Sequence, residues 1–105
     1  MVFQETSIFT KQVCNAFDDE CYRALQQSLL ENPSLGNVIK GTKGIRKIRW
    51  QRVGQGKREG YRIIYFVHWE DKVIFMLLMY PKNEQEDLTT EQLKKLNQFI
   101  THFLE

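Results

Sequence analysis

The apolar residues of the chain recur at two different periods, and the change from one to the other falls near Ile45. Before it, Ile8, Phe9, Val13 and Phe17 follow one another at roughly helical spacing, behind residues 2–6, which suit a short edge strand. Asp18 or Asp19 offers an oxygen to cap a second helix, and Tyr22, Leu25, Leu29 and Leu30 give that helix its apolar stripe. It must end near Asn32, because the ring of Pro33 crowds a helical backbone at the preceding residue. These two segments predict a helical hairpin. Residues 33–44 carry Gly36, Gly41 and Gly44 with few apolar side chains, the composition of a connecting loop.

From Ile45 onward the period is two. Ile45, Lys47 and Arg49 share one face of a strand, and Arg46, Ile48 and Trp50 share the other. Residues 61–69 and 73–80 are rich in branched and aromatic side chains, with only the polar Glu70, Asp71 and Lys72 between them, and predict an antiparallel hairpin. The near-continuous apolarity of residues 73–79 calls for a strand covered on both faces, hence helices packed on the sheet. Thr89 and Gln92 are spaced as a capping box, with Leu88 and Leu93 as its hydrophobic staple. Leu93, Leu96, Ile100 and Phe103 then line one side of a C-terminal helix. The predicted order is β-α-α-β-β-β-α: an α+β fold in which two N-terminal helices and one C-terminal helix pack on a small antiparallel sheet. Residues 1–105 are expected to form one domain, since there is no repeat, low-complexity tract or linker.

Composition narrows the class. A hydrophobic content of 42% with thirteen aromatics is that of a folding chain, not a disordered one. No apolar run reaches the length of a membrane span and the first residues lack the pattern of a signal peptide, so the expected location is the cytoplasm with no membrane partner. Cys14 and Cys21 have neither C-x-x-C spacing nor a neighbouring histidine, which argues against a metal site and predicts small packing side chains.

Charge changes the picture most. The formal net charge of +2 conceals nine of the fifteen basic residues between Lys40 and Arg62, where Glu59 is the only acid. A concentrated field of this sign attracts polyanions. Five of the nine are arginines, and several alternate with Ile48, Trp50, Ile63 and Ile64, which mounts them on strands and favours a nucleic-acid surface over an idle charged loop. The segment 54–60 is glycine-rich and basic, but its spacing fits neither a dinucleotide fingerprint nor a Walker loop.

RNA can be cleaved without a metal if its 2′-hydroxyl is deprotonated, the departing 5′-oxygen is protonated and cations hold the phosphorane. Lys47, Arg49 and Arg62 could supply such cations, because guanidinium matches phosphate bidentately and crowded ammonium groups release protons more readily. A binding protein that does not cleave would carry the same cluster. His68 and His102 stand apart from it in sequence and read as structural or surface residues. Glu84, Glu86 and Asp87 suit the negative charge favoured ahead of a helix N-terminus. Trp50, Tyr61 and Tyr65 could stack on bases, though aromatics on strands more often pack in cores.

The succession Gly41-Thr42-Lys43-Gly44-Ile45-Arg46-Lys47-Ile48-Arg49, then Gly60-Tyr61-Arg62-Ile63-Ile64-Tyr65, then Tyr80-Pro81-Lys82-Asn83-Glu84 and Asp87-Leu88, resembles the RelE superfamily of toxins, and most closely its HigB branch. The resemblance includes the lead-in Asn32-Pro33 with Leu35-Gly36 and spans nearly the whole chain. It implies the toxin of a type II toxin–antitoxin system, a metal-independent and cofactor-free endoribonuclease that cleaves translated mRNA on the ribosome. By position, Lys47 and Arg49 match the paired basic residues of these toxins, Arg62 the arginine that stabilises the transition state, and Lys82 a basic residue after the last strand. Lys43, Arg46, Arg52, Lys57 and Arg58 would grip mRNA or ribosomal RNA through charge. The chain departs from RelE in offering Thr89 near the position of a family tyrosine, with Tyr80 too early to replace it. The general base is therefore open between Lys47, the first choice, and Glu84. A cognate helix-turn-helix antitoxin is implied as partner, with operator DNA reached only through it. The alternatives are a non-catalytic RNA- or DNA-binding module and a protein whose basic face only docks the antitoxin.

Overall fold

In the computed structural model, which describes residues 1–51 and 60–104, the chain runs β1 (Val2–Glu5), α1 (Ser7–Ala16), α2 (Asp19–Glu31), β2 (Asn37–Val38), β3 (Arg46–Trp50), β4 (Tyr61–His68), β5 (Val73–Pro81) and α3 (Thr90–Leu104). The fold is α+β, as the alternating periods predict. The sheet has the order β1-β5-β4-β3-β2 and is mixed: β1 lies parallel to β5, while the other pairings are antiparallel. The wholly antiparallel sheet expected from sequence is thus modified at both edges, by the parallel β1 and by a two-residue β2 inside the expected loop.

Capping chemistry sets the helix boundaries. The Thr6 hydroxyl accepts from Phe9 N at 3.0 Å to start α1, and Asp18, rather than Asp19, accepts from Cys21 N at 2.8 Å to start α2. At α3 the capping box forms in both directions, Thr89 N donating to Gln92 Oε1 and Gln92 N to Thr89 Oγ1, each at 3.0 Å. None of the helices is long and apolar enough to cross a membrane among the described residues.

Two apolar clusters sandwich the sheet. On one face Phe9 and Val13 of α1 and Leu25 and Leu29 of α2 pack on Ile48, Ile63, Tyr65, Val67, Ile74, Met76 and Met79. On the other, Ile100 of α3 packs with Ile45, Ile64, Phe66, Phe75, Leu77 and Tyr80. Ile8 and Leu30, expected in the helical stripes, are largely exposed instead, each one position beside a fully buried residue of its stripe. The chain also needs a glycine at position 36. A Cβ there would sit 2.9 Å from both Lys47 O and the Tyr65 ring, and the Gly36 N–H donates to Tyr65 Oη at 2.8 Å. Tyr65 Oη in turn donates to Pro33 O, so one buried phenol fastens the loop 33–36 to the sheet.

Candidate functional site

Lys47 and Arg49 alternate with core residues on β3, and the register sets Arg49 opposite Arg62 and Arg62 opposite Tyr80 across three strands. All four side chains belong to the face that carries α3, with Tyr80 in the helix-packed cluster and Lys47, Arg49 and Arg62 outside it. Lys82 follows β5 directly, and its N–H donates to Gly60 O at 2.9 Å, which ties the end of β5 to the start of β4. Arg49, Trp50, Gln51, Gly60, Arg62 and Lys82 line a cleft of about 590 Å³. A second hollow of about 520 Å³ is lined by Lys47, Arg49 and Arg62 with Leu35, Gly36, Asn37 and Ile48. Arg49 and Arg62 form the wall between the two, so the four cations come from three strands and their flanks onto one surface.

Arg62 is the unusual member, because it is only 6% exposed whereas Arg49 is exposed. A guanidinium that deep requires negative charge close by. The segment between β5 and α3 brings it: Glu86 Oε1 lies 4.0 Å from Arg62 Nη2, and Asp87 Oδ1 accepts from Lys47 Nζ at 2.9 Å. The hydrogen bond from Lys47, with its charge and more distantly that of Arg62, holds the Asp87 carboxyl below the usual carboxylate range. Glu86 and Asp87 thus act as counterions across the site as well as standing ahead of a helix N-terminus. Gln85 braces the segment, its Nε2 donating to Asp87 O and to Gln92 Oε1, both at 2.9 Å. Glu84 is exposed and borders a different hollow, with Gln12, Asn15 and Tyr61.

The remaining basic candidates lie elsewhere. Arg46 is on the opposite face of β3, where its guanidinium donates to Gly36 O at 2.6 Å and to Ser34 O at 3.3 Å. Lys43 precedes β3 and borders a hollow with Phe66, His68 and Trp69 at the far end of the sheet. Arg52, Lys57 and Arg58 lie outside the described residues. His68 is also remote from the cationic end, its ring edge-on to Phe103 at 5.4 Å and its Nδ1 3.1 Å from Asp71. Of the aromatics, Tyr65 is wholly buried, while Trp50 and Tyr61 pack half-buried against the core and Trp50 reaches the cleft. Cys14 is exposed and Cys21 buried, and no cluster of potential metal ligands occurs among the described residues.

Sequence reasoning presented Tyr80 with Lys82 at the end of the last strand without setting it across from Arg62, and it did not bring Glu86 or Asp87 to the site. Lys47 and Asp87 are forty residues apart, and their opposite charges were the one available signal.

Comparison with known proteins bears on the family and the fold. Residues 5–105 match the family described as the RelE toxin of the RelE/RelB toxin–antitoxin system. A solved mutant of the E. coli toxin RelE in the free state is similar in fold, with a TM-score of 0.63 over 90% of this chain and 95% of that one, at 20% sequence identity.

Proposed function

Since the chain belongs to the RelE toxin family of toxin–antitoxin systems, we propose that it is a ribosome-dependent endoribonuclease that cleaves translated mRNA without a metal. The observation that carries this reading is the gathering of Arg49, Arg62 and Lys82 around one cleft, with Lys47 on its adjoining wall. In the proposed reaction the 2′-oxygen attacks the adjacent phosphorus, the 2′-O–P bond forms, the P–O5′ bond breaks, and a 2′,3′-cyclic phosphate and a 5′-hydroxyl result. Lys47, once released from Asp87 and after giving its own ammonium proton to solvent, accepts the 2′-hydroxyl proton as the neutral amine. Arg62 and Arg49 hold the non-bridging oxygens as charge builds on them, and the Lys82 ammonium gives a proton to the departing 5′-oxygen.

Burial supports the assignment to Arg62. A guanidinium fixed by a packed sheet and shielded from water stabilises a developing oxyanion with little reorganisation. Arg49 is exposed and suits backbone capture, where affinity comes from neutralised phosphates. The motifs shared with the HigB branch favour a helix-turn-helix antitoxin as partner, with operator DNA contacted through that antitoxin, and the cytoplasm, where ribosomes are, as the site of action. The proposed active unit is the single domain 1–105.

Mapping 5′ ends of transcripts after induced expression tests the proposal. Wild-type protein is expected to stop growth and produce cuts confined to translated messages, and Arg62→Ala to do neither. Intact messages with undiminished growth arrest would leave a binding protein that blocks the ribosome without cleaving.

A further inference from the structure

Tyr80 reaches the site only because β5 is irregular. Ile64 pairs with Leu78 but Tyr65 pairs with Met76, which leaves Leu77 as an extra residue in β5. Ahead of this bulge Ile74 and Met76 face the α1/α2 cluster, and beyond it Met79 does, so the alternation has moved by one. A regular strand would have turned Tyr80 to the same side as Ile74 and Met76. The bulge turns it instead to the α3 face, directly across from Arg62. Side chains of the β1–α1 junction and of α1 hold the irregular stretch: the Thr6 hydroxyl donates to Leu77 O at 2.8 Å, and Gln12 Oε1 accepts from Met79 N at 2.9 Å.

The phenol placed by this device is 4% exposed, and its hydroxyl has no hydrogen-bond partner among the described residues. Buried hydroxyls are nearly always partnered, so an orphan on the residue directly across from Arg62 calls for an explanation. Burial foremost, then the charge of Asp87, pushes the phenol above its ordinary range, so it remains a proton donor at neutral pH. The carboxylates in its electrostatic neighbourhood, Asp87 and Glu86, have side chains 71% and 74% exposed. Ion pairs so open to water are held weakly and give way to a better anion. Leu88, next in the same segment, packs on the cluster that contains Tyr80, which joins the cover around the phenol to the segment that carries the two acids.

We propose that Tyr80 is a phosphate ligand held in reserve: when an RNA phosphate displaces Glu86 and Asp87 from Arg62 and Lys47, the phenolic O–H donates to a non-bridging oxygen beside the Arg62 guanidinium. This rests on the RNA-cleaving reading of the site. Binding of the phosphate frees the phenol, and the reaction then builds charge on its acceptor, so the bond strengthens towards the transition state.

The test compares the full chain with Tyr80→Phe and Arg62→Ala in single-turnover cleavage of message on translating ribosomes, together with ribosome affinity and thermal unfolding. Tyr80→Phe is expected to slow cleavage about tenfold or more, the worth of a hydrogen bond to a charged group. Its ribosome affinity should be unchanged and its melting temperature equal or higher, because the substitution removes only an unpaired buried hydroxyl. A folded Tyr80→Phe that cleaves at the wild-type rate overturns the proposal. So does one with a lowered melting temperature, which would make the hydroxyl a bonded part of the fold. Wild-type cleavage by Arg62→Ala would instead defeat the RNA-cleaving reading itself, so the two failures are distinguishable.

Discussion

The two faces of the sheet are built from the same strands and finished differently. On one, α1 and α2 carry the apolar cluster from Ile74 through Tyr65 and Ile63 to Met79 and Ile48, with no charged side chain among its buried members. On the other, α3 covers Ile45, Ile64, Phe66 and Phe75, and the continuation of the same strands presents Lys47, Arg49 and Arg62. The complete cover supplies the rigidity and the incomplete one supplies the opening. Neighbours in β4 make the contrast sharpest: Ile63 is wholly buried in the helix-covered face and Arg62 points the other way.

Substitution of these two neighbours should separate stability from function. Ile63→Ala is expected to lose about 2–5 kcal/mol, the usual cost of deleting most of a buried aliphatic side chain, measured by denaturant unfolding. Arg62→Ala should keep the fold and lose about 10²–10³ in cleavage rate, as when a preorganised donor to a developing oxyanion is removed. Unfolding of Arg62→Ala as severe as that of Ile63→Ala would mean that the guanidinium is part of the core, and the division between the faces would collapse.

The tyrosines repeat the contrast on a smaller scale. Tyr65, on the helix-covered face, both donates and accepts at 2.8 Å, whereas Tyr80, on the open face, does neither among the described residues. Tyr65→Phe leaves Gly36 N–H and Pro33 O without that partner and should cost about 1–3 kcal/mol by denaturant melt. The Phe substitution at position 80 should cost no stability. Equal losses at both positions would erase the distinction.

Alternation made much of this legible in advance. Arg62 beside Ile63, and Lys47 beside Ile48, were separable to opposite faces because a strand has period two, and the boundaries of α2 and α3 followed from Asp18 or Asp19, Pro33 and the Thr89–Gln92 box. Three features were not legible. Four residues of β1 carry no mark of the strand they will join, so the parallel docking onto β5 was missed. The bulge at Leu77 lies in a run so uniformly apolar that either face suited every residue, and a shift of one position there decides where Tyr80 points. The counterions Glu86 and Asp87 read locally as helix-start charges, because pairing across the fold leaves no trace in spacing. Lys43 and Arg46 contribute to the charge of the segment, and the structure puts them at the far end of the sheet and on the opposite face of β3.

Burial also predicts an alkaline limit. Tyr22, Tyr65 and Tyr80 all have phenols raised above the ordinary value, each foremost by burial, and Tyr22 further by donating to Glu5 at 2.6 Å. A raised folded value means that the protonated form is favoured in the fold. Its contribution is full below the unfolded pKa and is lost as pH rises through the folded one. Stability should therefore hold to the ordinary tyrosine range near 10.0 and fall above it, with tyrosinate absorbance appearing together with unfolding. Tyrosinate forming in a still-folded chain would show that these phenols are less enclosed than the two clusters require.

The smallest expected effect concerns the exposed acid that closes the open face. Asp87→Asn removes a solvent-facing partner of Lys47, so melting should scarcely change, whereas affinity for single-stranded RNA should rise a few-fold because the incoming phosphate no longer competes with a carboxylate. The gain should shrink as salt screens both the competitor and the ligand. Its dependence on pH has a fixed sign. Because Lys47 lowers the Asp87 pKa in the fold, the pair is intact throughout the neutral range and is lost only as pH falls through that lowered value. The wild type should therefore approach the affinity of the variant only below the ordinary carboxylate range. Equal affinities at neutral pH and low salt would mean that the acid does not compete for the cations, and that the face left partly uncovered by α3 is open to RNA without its displacement.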